Sequence, residues 1–305
     1  MCESHLSSQL LCMPRDVLKS FINPNTQVST DPVTLIRTTL WEDQRHIFFF
    51  VLVTMAQGLY LAEVFNVIYL GPDEIKPEKQ IGTIVVSDVH SSQYLYQVES
   101  VDMNRPAIQP RDELILRGPD KESISSEGRL KIEVDLFCGD YKSSICYKWF
   151  PVDKELHNSP LEKRILSKDG SGEILVLYAL FNNAMEAHLE IELLTSDESA
   201  INVHGVVAAS TSAILQPAFS SMVFMKKPSS GMNVRHKERI PLSRSVIAVP
   251  YESTLFLDFH LLDDDENDIV AGFVEFLAKP GSESKQRFKG AKGEILATVT
   301  WMGAA

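Results

Sequence analysis

The chain has 305 residues, 44% hydrophobic and 23% charged, a composition that excludes a disordered or fibrous protein and leaves room for two domains of roughly 100–150 residues. Its 41 acidic residues exceed its 29 basic ones, for a formal net charge of −12. Nonspecific binding of nucleic acid depends on Lys and Arg that displace counterions from phosphates. The acidic balance therefore argues against nucleic acid as a partner, and a protein partner is expected instead.

Residues 1–45 are predicted to form a mostly irregular N-terminal extension or linker. Pro14, Pro24 and Pro32 interrupt it, with Ser, Thr and Asn between them. Residues 1–20 lack the order of basic and then apolar residues that marks a secretory signal. The four cysteines of the chain are too few and too irregularly spaced for a disulfide framework or a zinc cluster. We therefore expect a cytoplasmic protein, with the nucleus as the alternative.

An apolar run at Ile47–Ala62 follows the extension. It is shorter than the roughly 20 residues that a membrane-spanning helix needs, and Thr54, Gln57 and Gly58 interrupt it. One or two buried strands are the favoured interpretation, and a membrane anchor or a cleaved internal signal is the alternative. No stable membrane insertion is expected.

Period-two alternation dominates the rest of the chain. In Gly128–Phe137 every second residue is apolar, and Ser253–Leu262 has the same phase, with Leu255 following Leu130 by 255 − 130 = 125 positions. Such alternation is typical of a strand with one buried face. The predicted strands are Phe48–Thr54, Leu59–Leu70, Ile81–Ser87, Gln93–Glu99, Glu113–Arg117, Arg129–Phe137, Ser144–Phe150, Glu173–Phe181, Glu186–Leu194, Val203–Ser210, Ser221–Met225, Arg239–Leu242, Ser253–Leu262, Ile269–Leu277 and Glu294–Trp301.

Several markers recur at nearly the same offset in the two halves. Ala187 follows Ala62 by 187 − 62 = 125 positions, and the tetrapeptide Gly-Glu-Ile-Leu stands at both 172–175 and 293–296. A repeat of this length suits a duplicated small domain. The predicted fold is all-β, with two tandem antiparallel β-sandwich (C2/immunoglobulin-like) units, 46–182 and 183–305, packed together. One large sandwich of about fourteen strands is the alternative.

The acidic loop 263–268 is the candidate metal site. Calcium prefers several hard oxygen ligands, which carboxylates on sandwich loops can supply. The loop lacks the DxDxDG spacing of a helix-loop-helix calcium site, and a solvated hairpin turn is the alternative interpretation. The candidate calcium ligands are Asp263, Asp264, Asp265 and Asp268.

Motifs of enzymes are missing from the sequence. The eight histidines have no HxH or HExxH spacing, and no GxSxG, GxxxxGK or GxGxxG occurs. We therefore predict no catalytic residues and no cofactor other than calcium. A basic patch, Met225–Lys227 followed by Arg235–Arg239, is interpreted as a solvated loop and strand edge or as a docking surface for an acidic partner.

The order of segments resembles a family of plant proteins, mostly from grasses, known as domain of unknown function 6598. The most specific stretches are LxGP at Leu116–Pro119 and IPLSRSVIAVP at Ile240–Pro250, and the resemblance covers about residues 56–305. Members of that family resemble the C-terminal part of a jasmonate-induced ribosome-inactivating protein of cereals. The resemblance thus implies a link to stress, defence and translation. The Glu-Ala-Ala-Arg motif of the adenine-glycosidase part does not occur here.

Three functions follow as hypotheses. The first is a non-enzymatic interaction or regulatory module of a plant stress or defence protein, which the repeat, the missing catalytic spacings and the resemblance together favour. The second is a translation- or RNA-directed protein related to rRNA N-glycosidases. The third is calcium-dependent membrane docking through the acidic loop.

Overall fold

The computed structural model describes residues 37–43, 46–52, 58–148, 157–195 and 200–303. The chain divides into two compact units, Met1–Ala56 and Gln57–Ala305. In the first unit, β1 (Arg37–Asp43) pairs antiparallel with β2 (His46–Leu52). Strand β1 thus lies within the segment that was predicted to be mostly irregular.

The second unit is built from antiparallel strands and short 3-10 turns, and no α-helix occurs among the described residues. The predicted all-β class is confirmed. The strands are β3 (Leu59–Tyr69), β4 (Gly82–Ser87), β5 (Ser92–Val98), β6 (Ile124–Ser125), β7 (Arg129–Leu136), β8 (Tyr141–Lys148), β9 (Pro160–Leu166), β10 (Glu173–Leu194), β11 (Ile201–Thr211), β12 (Ser221–Lys226), β13 (Met232–Val234), β14 (Glu238–Arg239), β15 (Val246–Pro250), β16 (Thr254–Leu262), β17 (Asp268–Leu277), β18 (Glu283–Lys289) and β19 (Glu294–Met302).

These strands form one large sheet and two smaller ones. The smaller sheets have the orders β5-β4-β7-β8 and β12-β11-β16-β17, and β13 also pairs with β11. In the large sheet, β3, β9, β14, β15 and β19 all pair with β10, while β6 extends from β3 and β18 from β19. Each smaller sheet covers one part of the large sheet, which gives two sandwiches.

Strand β10 is common to both sandwiches. The sequence predicted two strands, Glu173–Phe181 and Glu186–Leu194, and this was wrong because one strand of 22 residues runs through both. Its first part pairs with β3 and β9, and its second part with β15 and β19. At the predicted join, Asn183 accepts two hydrogen bonds from neighbouring segments. Its backbone carbonyl accepts the N–H of Tyr251 at 2.9 Å, and its side-chain oxygen accepts the N–H of Gly58 at 2.8 Å.

The hydrophobic core has a separate cluster in each sandwich. Leu130 lies in a cluster drawn from residues 62–180, whereas Leu255 lies in a cluster drawn from residues 185–301. Both leucines are at most 1% exposed. Each of the two sandwiches therefore has its own hydrophobic core, in agreement with the predicted fold class. The boundary between 182 and 183 stays a prediction, and β10 passes through it.

A third apolar cluster joins the sandwiches. Leu61 and Phe65 lie on the face of β3 that points away from the core of the first sandwich. They pack against residues of the second sandwich, among them Ile214 and Phe219. The rings of Phe65 and Phe219 meet edge to face with centroids 5.5 Å apart, a favourable arrangement for aromatic pairs. The sandwiches therefore share a buried contact in addition to a strand.

Other sequence predictions were also wrong in their local structure, and the predicted strand Arg239–Leu242 is a strand only at Arg239. Residues Glu113–Arg117 were expected to form a strand, but they change partner along their length. Glu113 bridges to Ile68, whereas Arg117 donates to Leu95, so no continuous ladder forms. The list of predicted strands also misses β9 and β18, whose mostly exposed side chains hide the alternation that marks a strand. Each pairs along a single neighbour, β10 or β19.

A buried ion pair lies in the contact between the sandwiches. Arg244, fully buried, donates to Oε1 of Glu63 at 2.8 Å and to the carbonyl of Val64 at 2.9 Å. Glu63, 1% exposed, also accepts the hydroxyl of Ser221 at 2.7 Å and the N–H of Ala248 at 3.0 Å. A buried charge is tolerated when it is paired and hydrogen-bonded in this way. One carboxylate of the first sandwich thus holds three groups of the second.

Replacing Arg244 should destabilise the protein strongly. Arg244→Met would leave the Glu63 carboxylate buried without its partner, and we expect the free energy of unfolding to fall by about 3–5 kcal/mol in urea denaturation. The matched control is Arg287→Met, which removes an exposed pair with Glu294 and should cost no more than about 1 kcal/mol. Equal losses in the two variants would contradict the role assigned to the buried pair.

Candidate binding cleft between the sandwiches

The edge strands of the two smaller sheets are connected by a row of backbone hydrogen bonds. On the β5 edge, the carbonyl of Leu95 accepts the N–H of Arg117 at 2.7 Å. The next N–H, of Gly118, donates to the carbonyl of Ser243 at 2.7 Å, and the N–H of Ser243 donates to Val223 on the β12 edge at 2.8 Å. The backbone thereby forms a bridge from one sandwich to the other.

This bridge is built from the two stretches that carry the family resemblance. Besides the contact of Gly118 with Ser243, the carbonyl of Pro119 accepts the N–H groups of Ser245 and Val246 at 3.2 and 3.0 Å. The hydroxyl of Ser245 donates to the carbonyl of Asp120 at 3.2 Å. Residues 116–119 and 240–250, far apart in the sequence, therefore meet in the fold.

A cleft of about 1120 Å³ lies along this bridge. One wall comes from β5 and the loop that follows it, and the other from β12, the turn after it and residues 241–243. We call this site the interdomain cleft. Its apolar lining includes Ile108, Ile115, Met222, Met225, Met232 and Leu242.

Charged side chains of both signs line the same cleft, five of them cationic and four of them carboxylates. Arg105 lies 3.8 Å from Asp102, whereas the other cations form no ion pair with a carboxylate in the part of the chain that the structure describes. Among the acids, Glu113 is partly buried, and this burial raises the pKa of its carboxyl above the usual value. The remaining charged residues of the lining are Arg111, Asp112, Arg117, Asp120, Lys226 and Lys227.

The predicted calcium loop is organised around Asp263. Its Oδ1 atom accepts the backbone N–H groups of Asp265 and Asn267 at 3.0 and 2.9 Å, and its Oδ2 atom pairs with Lys292. The Lys292 ammonium and the Asn267 N–H together lower the pKa of the Asp263 carboxyl to about 2. The carboxylate is thus already held by donors of the protein.

The other candidate ligands face different partners. Asp264 accepts a hydrogen bond from the amide of Asn202, and Asp268 lies 3.5 Å from Nε2 of His260. Across the described residues, no three His, Cys, Asp or Glu side chains converge in an arrangement that could hold a metal ion. Calcium binding at Asp263, Asp264, Asp265 and Asp268 stays a prediction, and in this geometry a cation would compete with Lys292.

The fold divides the basic patch between two places. Lys226 and Lys227 reach the interdomain cleft, while Arg235, His236 and Lys237 line a separate open cavity of about 780 Å³. Arg239 joins neither group, because it pairs with Glu190 at 2.7 Å. No local pattern in the sequence indicated this separation, or that the arginines at 105, 111 and 117 would complete the cleft.

Among the described residues, Trp301, His204 and the cysteines lie outside the lining of the interdomain cleft. Trp301 is fully buried in the core of the second sandwich. The rings of Trp41 and Trp149 lie outside the described residues. His204 is buried, and its Nε2 atom lies 3.8 Å from Glu266. Cys138 and Cys146 are exposed free thiols.

The fold and the cleft define an all-β protein of two antiparallel sandwiches with a potential binding site between them. The chain belongs to the family described as a domain of unknown function (DUF6598), which matches residues 61–299. The match confirms the family that the sequence stretches indicated and assigns no function. A comparison with curated proteins found no match. Among the described residues, no helix is long and apolar enough to span a bilayer.

Solved structures of extended synaptotagmin 2 show a distant likeness at 12% identity. One contains the SMP, C2A and C2B domains; the match covers 85% of this chain and 61% of that one, with a TM-score of 0.25. A structure of the C2A and C2B domains is covered to 97%, with a TM-score of 0.24, and a calcium-bound form to 97%, with a TM-score of 0.23. The chain thus spans less than two thirds of the first structure. Structural similarity at TM-scores this low supports no conclusion about function.

The ion pair of Asp263 should make a small, pH-dependent contribution to stability. Asp263→Asn keeps an oxygen for the turn but loses the charge, so at pH 7 we expect a loss of less than about 1 kcal/mol. Because the folded-state pKa is lowered, the contribution is complete above the unfolded value of about 3.9 and disappears as the pH falls towards 2. Thermal unfolding between pH 2 and 7 measures this difference. Asp265→Asn is the control, and a difference independent of pH would refute the assignment.

Proposed function

We propose that this protein is a non-enzymatic interaction module that binds a partner protein in its interdomain cleft. The observation that carries the proposal is the composition of the cleft, in which both sandwiches contribute apolar and cationic side chains to one concave surface. Ligand sites commonly occur at such domain interfaces, with apolar walls and a few polar groups. The volume, about 1120 Å³, exceeds the usual range of roughly 300–1,000 Å³ for small-molecule pockets. A segment of a macromolecule suits this space better than a metabolite.

The connections between the sandwiches support a binding role. Strand β10, the buried pair of Glu63 and Arg244 and the backbone bridge at Ser243 hold the two walls of the cleft in place. A site that is largely formed before its ligand arrives loses less conformational entropy on binding. The fold thus provides a preorganised surface for recognition.

The biological setting that we propose is plant stress or defence, with the module in a regulatory role. Support comes from membership of the DUF6598 family and from the resemblance of that family to the C-terminal part of a jasmonate-induced ribosome-inactivating protein. The proposal assigns the cleft to partner binding. It assigns no glycosidase chemistry to this chain.

Site-specific photo-crosslinking tests whether the cleft binds a partner. A benzophenone-bearing phenylalanine analogue would replace Ile115, which lies in the cleft and is 44% exposed. The matched control carries the analogue at Leu277, an exposed apolar residue on β17 that is 67% exposed and outside the cleft lining. In extract from stressed leaves, we expect a discrete crosslinked product at 115 alone, and excess unmodified protein should remove it. The same products at both positions, or none at 115, would refute the proposal.

A further inference from the structure

We propose that the interdomain cleft recognises an extended acidic segment of a partner protein, in which carboxylate side chains alternate with apolar ones. This inference rests on the proposed function and specifies the chemistry of its partner. It is carried by the charge of the cleft, by its apolar lining and by the unpaired edge of a strand beside it.

The charge of the cleft favours a carboxylate ligand. Arg111 and Arg117 on one wall and Lys226 and Lys227 on the other are exposed, and the described part of the chain pairs none of them with a carboxylate. The lining as a whole holds five cations and four carboxylates, an excess of one positive charge (5 − 4 = 1) on a chain with a net charge of −12. Arg binds carboxylates through two parallel N–H donors, while Lys supplies a mobile point charge. The carboxylates of a bound segment could therefore form ion pairs with cations on both walls of the cleft.

The apolar lining of the cleft is rich in methionine. Met222, Met225 and Met232 contribute flexible, polarizable side chains, which adapt to apolar groups of different shape. On the opposite wall, Ile115 adds an exposed aliphatic surface. Apolar residues of a ligand could pack against this surface while its acidic residues reach the cations.

An extended conformation of the ligand follows from the position of β12. Among the described strands, β12 pairs along its length with β11 alone, and its other edge receives a single backbone bond, from Ser243 to Val223. Beyond that bond, Met225 and Lys226 continue the strand along the cleft. An exposed strand edge can accept an added strand through backbone hydrogen bonds, and alternate side chains then provide specificity.

The same cations could attract RNA, but among the described residues the lining of the cleft has no exposed aromatic ring, and the exposed Tyr94 lies in the adjoining cavity. Proteins that bind single-stranded nucleic acid stack bases on exposed aromatic rings. The aromatic residues in the lining, Tyr96 and Phe224, are buried, at 9% and 1% exposure. The apolar surface of the cleft is aliphatic and thioether instead, which suits peptide side chains.

Fluorescence anisotropy with three labelled probes tests the inference on the full chain. The probes are a peptide of about ten residues in which Glu and Leu alternate, the same peptide with Lys in place of Glu, and oligouridine of about ten nucleotides. We expect the Glu peptide to bind at least about tenfold more tightly than either other probe. Equal binding of the two peptides, tighter binding of RNA, or no binding of the Glu peptide would overturn the inference.

Charge reversal then locates the binding site. The double variant Lys226→Glu/Lys227→Glu should weaken binding of the Glu peptide by at least about tenfold. Lys279→Glu/Lys289→Glu makes the same charge change at exposed positions outside the cleft lining and should alter affinity by less than about twofold. Equal weakening in both variants would overturn the assignment. Because crosslinking at Ile115 needs no acidic probe, it can support the proposed function even where the peptide arms fail.

Discussion

Strand β10 constrains the rest of the structure because it belongs to both sandwiches at once. Its 22 residues, at roughly 3.3 Å each, extend over about 70 Å. Turning one sandwich against the other would break backbone ladders with β3 and β9 at one end or with β15 and β19 at the other. Domains joined by a flexible linker move by default, whereas these two sandwiches are joined by continuous sheet.

The contact between the sandwiches uses polar chemistry as well as apolar packing. Taking the charges of Glu63 and Arg244 out of water is unfavourable, and four hydrogen bonds from or to these two side chains offset that cost. Their partners include Ser221 on β12 and Ala248 on β15. A displaced sandwich would leave a buried charge without its partners, so this network selects one arrangement more strongly than apolar contact alone could.

The interdomain cleft is a consequence of these constraints. Its walls belong to different sandwiches, and the backbone bridge from Leu95 through Arg117, Gly118 and Ser243 to Val223 connects their edges. Membership of a family of unknown function assigns no role to any residue. The functional argument therefore depends on the chemistry of the site, since a fold by itself does not specify function.

The sequence alone determined the all-β class and the strand faces around Leu130 and Leu255, because alternation of side chains is a local property of a strand, but it left two interiors and one large sandwich both open. Only the tertiary structure decided that β10 is continuous and that Arg244 meets Glu63, 181 positions away. It alone brought Arg117 and Lys226 to the same cleft. Contacts of this kind depend on how separate strands pair and pack, and no local pattern in the sequence encodes which distant residues will meet.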